Sequence, residues 1–149
     1  MCMSQGKARI VDVKPAGPDH QVISFVSEAG SQRRYCKKPC ADCPWRLDAV
    51  GEFPAEAFKH SAHTAYDMSE NTFACHSAGK DKSATCAGYL LHGSYHSLAI
   101  RFDLMLGNID LSEVSDGGHE LFTSYRAMAE ANGVSADDPV LRACRSADD

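Results

Sequence analysis

Cys36-Lys37-Lys38-Pro39-Cys40-Ala41-Asp42-Cys43-Pro44-Trp45-Arg46 is the stretch on which the reading of this chain turns. After a spacer of about thirty residues come Phe73-Ala74-Cys75-His76 and then Ala84-Thr85-Cys86-Ala87-Gly88-Tyr89-Leu90-Leu91. Five of the seven cysteines fall in this span. Cys40 and Cys43 form a C-x2-C pair, which puts two sulfurs on one tight turn. Cys75 and Cys86 supply a second pair once the chain folds back. Four thiolates around one centre suit Zn2+ or an iron–sulfur cluster, because both are soft enough to prefer sulfur. Cys40, Cys43, Cys75 and Cys86 are therefore the expected metal ligands. Cys36 and His76 are expected as an extra ligand or as neighbours that shape the site.

Competing readings of the knuckle fail on their missing parts. With Cys36 the run is C-x3-C-x2-C, the spacing of radical-SAM enzymes, but that chemistry needs a barrel-scale domain and the chain has 149 residues. Pro39-Cys40-Ala41-Asp42-Cys43 matches half of the zinc deaminase signature, whose His-x-Glu partner does not occur in this sequence. His60 and His63, and His92 and His96, have helical spacing, yet neither pair carries the glutamate of H-E-x-x-H.

The length fits a single domain over residues 1–149, with 1–7 and about 140–149 as loosely ordered tails. Apolar content of 44% and charged content of 23% are those of a globular chain. The net charge of −5 disfavours nucleic acid as a partner, despite the local cluster Arg33, Arg34, Lys37 and Lys38, and favours a protein. No apolar run approaches the roughly 18 residues that span a bilayer, so no membrane contact is expected. With no hydrophobic signal region near Met1, the expected compartment is cytoplasmic, where clustered cysteines bind metal more readily than they form disulfides. Cys2 and Cys144, in the expected tails, are read as thiols outside the site.

The fold class is α+β. Ala8–Val13 and Gln21–Val26 read as a β-hairpin around the turn Pro15-Ala16-Gly17-Pro18-Asp19. A helix is expected from Pro54 to about Met68, with proline in its first turn. A long helix from Ala84 to about Leu106 follows from Cys86, Leu90, Gly93, Ser97, Ile100 and Leu104 at helical spacing. This places Cys86 in its first turn. A third helix is expected over His119–Ala131, closed by Asn132-Gly133.

The combination Cys40-x2-Cys43-Pro44-Trp45-Arg46, Ala74-Cys75-His76-Ser77, Cys86-Ala87-Gly88-Tyr89-Leu90, Gly93-x2-His96 and Arg101 resembles DUF6283, a family of small bacterial and phage proteins with no assigned activity. The resemblance covers roughly residues 36–101. It implies that the four cysteines, His76 and the Cys-Pro-Trp-Arg segment belong to one site, and its phage association allows a host- or defence-directed role. Trp45, Arg46, His96 and Arg101 are the expected contacts to a ligand or partner.

A closed four-cysteine site in a small domain is the usual arrangement of structural zinc. The Cys43-Pro44 step and the aromatic neighbours Trp45, Phe73 and Tyr89 speak for a [4Fe-4S] cluster instead. The expected function is a structural-zinc binding module acting on a protein partner. The alternative is an iron–sulfur redox sensor, or a metal-dependent enzyme that uses the same cysteines with His76.

Overall fold

The computed structural model describes residues 9–18, 20–26, 34–75 and 83–149. The architecture is α+β, with a two-stranded antiparallel sheet, four α-helices and short 3-10 turns among the described residues. Strands β1 (Arg9–Pro15) and β2 (Gln21–Val26) form the expected hairpin, with an irregularity in register between Ile10 and Asp12. The turn is closed by Ala16 N–H donating to the His20 carbonyl at 3.0 Å. Helix α1 (Ala55–Ser61) lies against β2.

Trp45 is the centre of the core. It is fully buried, and its ring meets Phe73 and Tyr125 edge-on at centroid distances of 6.1 and 6.0 Å, with Tyr89 tilted at 6.5 Å. Aromatic rings prefer such edge-to-face contacts because ring edges carry positive and faces negative partial charge. The polar ends of the two tyrosines tie the wall to its neighbours. Tyr125 Oη donates to the Phe58 carbonyl at 2.7 Å and lies 2.6 Å from Ser61 Oγ, while Tyr89 Oη donates to the Thr64 carbonyl at 2.8 Å.

The long helix expected from Ala84 to Leu106 is two helices, α2 (Ala87–His92) and α3 (Leu98–Met105). The apolar period continues through the break, which is why the sequence reads as one element. Gly93 ends α2 against the Trp45 ring, and Ser97 Oγ starts α3 by accepting the Ile100 amide. Cys86 is accordingly the N-cap of α2 rather than a residue of its first turn.

Two other helices are shorter than expected. α1 stops at Ser61 and continues as a 3-10 turn, Ala62–Ala65. The third expected helix begins only at Tyr125, as α4 (Tyr125–Ala131), where Ser124 Oγ accepts the Ala127 amide. The residues before it are drawn out to pair with the knuckle exit: Leu121 bridges Arg46, Leu47 N–H donates to the Glu120 carbonyl, and Phe122 N–H to the Trp45 carbonyl.

The expectation of a loose tail from about 140 is also corrected. Leu141 and Cys144 are buried, Cys144 bridges Tyr66, and Arg145 N–H donates to the Ala65 carbonyl at 2.9 Å. No helix among the described residues is long and apolar enough to cross a membrane.

Candidate functional site

The site is assembled around Thr85. This residue bridges Tyr35 on one side, in parallel, and Ala74 on the other, antiparallel. Four backbone bonds hold the three segments: Thr85 N–H to the Arg34 carbonyl (2.8 Å), Cys36 N–H to that of Thr85 (2.9 Å), Cys75 N–H to that of Ala84 (2.7 Å) and Cys86 N–H to that of Phe73 (2.9 Å). Side chains alternate between faces along an extended segment. Each residue after the bridged Tyr35, Ala74 and Thr85 is a cysteine, so Cys36, Cys75 and Cys86 turn to a common side.

The C-x2-C knuckle closes over that side. Cys43 N–H donates to the Cys40 carbonyl at 3.2 Å and Arg46 N–H to the Cys43 carbonyl at 3.1 Å. Cys43 Sγ thereby comes to 3.7 Å from Cys86 Sγ. Cys36 lies near Cys75 and Cys43, and Cys40 lies near Cys43. Cys43, Cys75 and Cys86 are buried; Cys36 and Cys40 are half-buried. The structure thus brings five cysteines together. Among the described residues no group of three or more His, Cys, Asp or Glu side chains converges as a ready-made metal site.

The sulfurs are electrostatically unequal. The Cys43 thiol is lowered to about 7 by the hydrogen bond from Cys86, helped by the Trp45 amide, Cys40 and the Arg46 charge against the opposing effect of burial. Cys86 is pushed well up by that same pairing and by its burial. The pairing therefore favours the thiolate at Cys43 and the neutral thiol at Cys86. Cys36 is pushed up to about 12, first by burial and then by its bond to Cys75.

Arg46 braces the knuckle from outside. Its guanidinium grips Asp48 in a two-point pair (Nε to Oδ1 2.8 Å, Nη2 to Oδ2 2.5 Å) while Nη1 donates to the Ala41 carbonyl at 3.0 Å. Such a fork fixes geometry as well as charge. Trp45, expected to touch a ligand or partner, does not: it has no exposed surface and serves as the core behind the knuckle. His96 and Arg101 are engaged elsewhere. His96 Nε2 is 2.9 Å from the Ser146 carbonyl oxygen, and Arg101 Nε and Nη2 donate to the Tyr95 carbonyl. The helix break separates His92 from His96, so they do not share a helix face. His76, Arg33 and Cys2 lie outside the described residues. Of the basic cluster, Lys37 is 3.7 Å from Glu113.

Sequence reasoning missed Thr85 as the hub. Its only signal is a β-branched residue directly before a cysteine, and single-residue bridges between distant segments leave no period to read. What fold and site define is a small α+β domain built on a cysteine cluster. Across residues 35–145 the chain matches the family described as "Family of unknown function (DUF6283)", and it belongs to that family. The matched span takes in all five clustered cysteines and the packed segment at Leu141–Cys144, and leaves the hairpin outside. No curated protein and no solved structure matches the chain.

Proposed function

We propose that this domain is a metal-binding module in which Cys40, Cys43, Cys75 and Cys86 hold one structural zinc ion, and that it acts by binding a protein. The observation that carries the reading is the 3.7 Å separation of Cys43 and Cys86 sulfurs. Two thiolates on one tetrahedral zinc, each about 2.3 Å from the ion, stand about 3.8 Å apart. A thiol already lowered at Cys43 supports the same reading, since a metal binds the thiolate. The ion would brace three segments that are otherwise joined by four backbone bonds and single-residue bridges. Four sulfurs leave zinc no open position for a substrate, which favours a binding module over a hydrolase. The acidic net charge of −5 favours a protein over nucleic acid.

A [4Fe-4S] cluster is the second reading. It draws on the Cys43-Pro44 step and on the wall of Trp45, Phe73 and Tyr89 beside the sulfurs. The test is elemental analysis with an ultraviolet–visible spectrum on protein purified without oxygen. A colourless protein with one zinc per chain is expected. A brown protein with broad absorption and stoichiometric iron transfers the site to the cluster reading. A metal-free protein whose melting temperature is unchanged by added zinc or by chelator overturns both.

A further inference from the structure

A cavity of about 260 Å3 opens between the start of α4 and the segment packed after Leu141, lined by Ser124, Arg126, Cys144, Arg145, Ser146 and Asp149. None of these residues belongs to the cysteine cluster. The volume is below the roughly 300–1,000 Å3 of pockets for drug-sized ligands, so it fits a small group. Two guanidinium groups line it, and the protein satisfies neither fully. Arg126 uses only Nη2, on the carbonyls of Leu141 (2.8 Å) and Cys144 (3.5 Å). Carbonyls hold a guanidinium in place without neutralising it. Arg145 donates from Nη2 to the main-chain oxygen of Asp149 at 3.0 Å, and its Nη1 lies 3.9 Å from Asp67 Oδ2. Its Nε–H is buried with no hydrogen-bond partner. A buried donor on a charged group is costly to leave unmatched, and a bound ion is one way to complete it. The floor of the cavity is fixed: Arg145 N–H donates to the Ala65 carbonyl at 2.9 Å, and the Ser146 carbonyl oxygen lies 2.9 Å from His96 Nε2. Asp149 is the one carboxylate in the lining. Its Oδ2 accepts the Ser146 N–H at 2.9 Å and lies 3.3 Å from Ser146 Oγ. This carboxyl is held below the usual carboxylate range, first by the Ser146 amide, then by the Ser146 hydroxyl and the charges of Arg145 and Arg126, against partial desolvation. Negative charge at this place therefore already feels both arginines.

We propose that this cavity binds a small oxyanion of the phosphate class, with Asp149 as a built-in competitor that the ligand displaces. Arg126 Nε and Nη1 supply donors from one side. The turn Ser146–Asp149 lies against the Arg145 guanidinium, and moving Asp149 out frees Nη2 and gives Nε an acceptor. Ser124 Oγ accepts the Ala127 amide at 3.0 Å and keeps its own hydrogen to donate. Guanidinium groups match phosphate oxygens two at a time, in a fork that a lysine does not offer. With Asp149 displaced, Arg126 and Arg145 are the charged groups left in the lining. Two guanidinium charges attract a dianion more strongly than the single charge of a carboxylate, which favours phosphate over an acidic side chain as the occupant. The inference rests neither on the metal nor on the protein partner proposed above.

Titration of the full chain with inorganic phosphate at constant ionic strength, followed by amide and arginine Nε–H chemical shifts, tests this. The signals of Ser124, Arg126, Arg145 and Ser146 are expected to move along one saturating curve, while those of Cys43 and Cys86 stay in place. Asp149→Asn removes the competing charge and tightens phosphate at least threefold. Arg126→Gln weakens it at least tenfold. That variant also gives up a bond that packs Leu141, so Asp149→Asn, at an exposed position, is decisive by itself. An affinity that is unchanged or weaker in Asp149→Asn overturns the proposal. So do shifts that never saturate or that chloride reproduces, which leave an adventitious ion only. Acetate bound as tightly as phosphate overturns the phosphate class and assigns the cavity to carboxylates. Shifts centred on the cysteines instead of the arginines place the anion elsewhere and overturn the site.

Discussion

Alanine at Gly93 and alanine at Gly88 should both destabilise the domain, but only the first should be rescued by shrinking Trp45. A β-carbon on Gly88 would stand 2.5 Å from Trp45 Cβ and 2.6 Å from Cγ; one on Gly93 would stand 2.5 Å from Cη2 and 2.8 Å from Cζ2. The indole therefore lies along α2 from the start of the helix to its end, and three other rings keep it from moving aside. Overpacking of a rigid core costs about 1–3 kcal/mol, with contacts this short at the upper end. Against it, alanine gains about 1 kcal/mol over glycine within a helix. The net loss for Gly88→Ala is about 2 kcal/mol, or roughly 4–8 °C in melting temperature for a chain of this size. Trp45→Phe leaves a void and costs on the order of 2 kcal/mol by itself. Phenylalanine keeps Cβ and Cγ but has no Cη2 or Cζ2. In the Trp45→Phe background Gly93→Ala should thus lose part of its cost, with a coupling of roughly 1–2 kcal/mol and a contact of 2.9 Å to Tyr89 Cδ2 remaining, while Gly88→Ala should keep its full effect. Urea unfolding of the two double-mutant cycles measures this. Equal rescue of both glycine variants, or a Gly88→Ala protein as stable as the parent, refutes the placement of Trp45 along α2.

Further outcomes follow from the same contacts. Cys86→Ser should abolish zinc binding and lower the melting temperature, whereas Cys36→Ser should retain one zinc per chain; elemental analysis of both decides which sulfurs are ligands. Tyr125→Phe should cost about 1–3 kcal/mol in urea unfolding, because it strips the Phe58 carbonyl of a buried donor and Ser61 of a partner. The Cys144 thiol is pushed up to about 11 by burial, with Arg126 opposing. Above about pH 8.5 the unfolded chain loses this proton while the folded one keeps it, so stability falls as pH rises. Unfolding from pH 8.5 to 10.5 should show the parent losing roughly 2 kcal/mol relative to Cys144→Ala, and parallel curves would remove Cys144 from the account.

The hairpin was legible because β-branched residues flank the turn Pro15-Ala16-Gly17-Pro18, and the knuckle because its two cysteines are three positions apart. Both are local signals. The helix break at Gly93–Ser97 was not legible, since the apolar period runs on through it; a glycine fitted to a distant indole and a serine cap decide it. Trp45 reads from sequence as a lid over the cysteines or as a contact to a ligand or partner, because nothing near it in sequence announces that Phe73, Tyr89 and Tyr125 will surround it. The grouping of Cys36 with Cys75 depends on two single-residue bridges to Thr85, fifty and eleven positions away. The packed segment at Leu141–Cys144 was hidden by its polar surroundings, which look like a tail until Tyr66 and Arg126 are seen to hold it.

The single tryptophan is separated from Cys43 by one proline, and its ring runs along the helix that Cys86 caps. The molecule thus carries its own optical reporter. Indole emission from so dry a nest should be blue-shifted, and the nearby sulfurs should quench it. Loading, stripping or oxidising the thiols should change intensity before the wavelength moves, whereas global unfolding should shift the wavelength to the red. Site occupancy and chain collapse can therefore be followed separately in one cuvette, without a label.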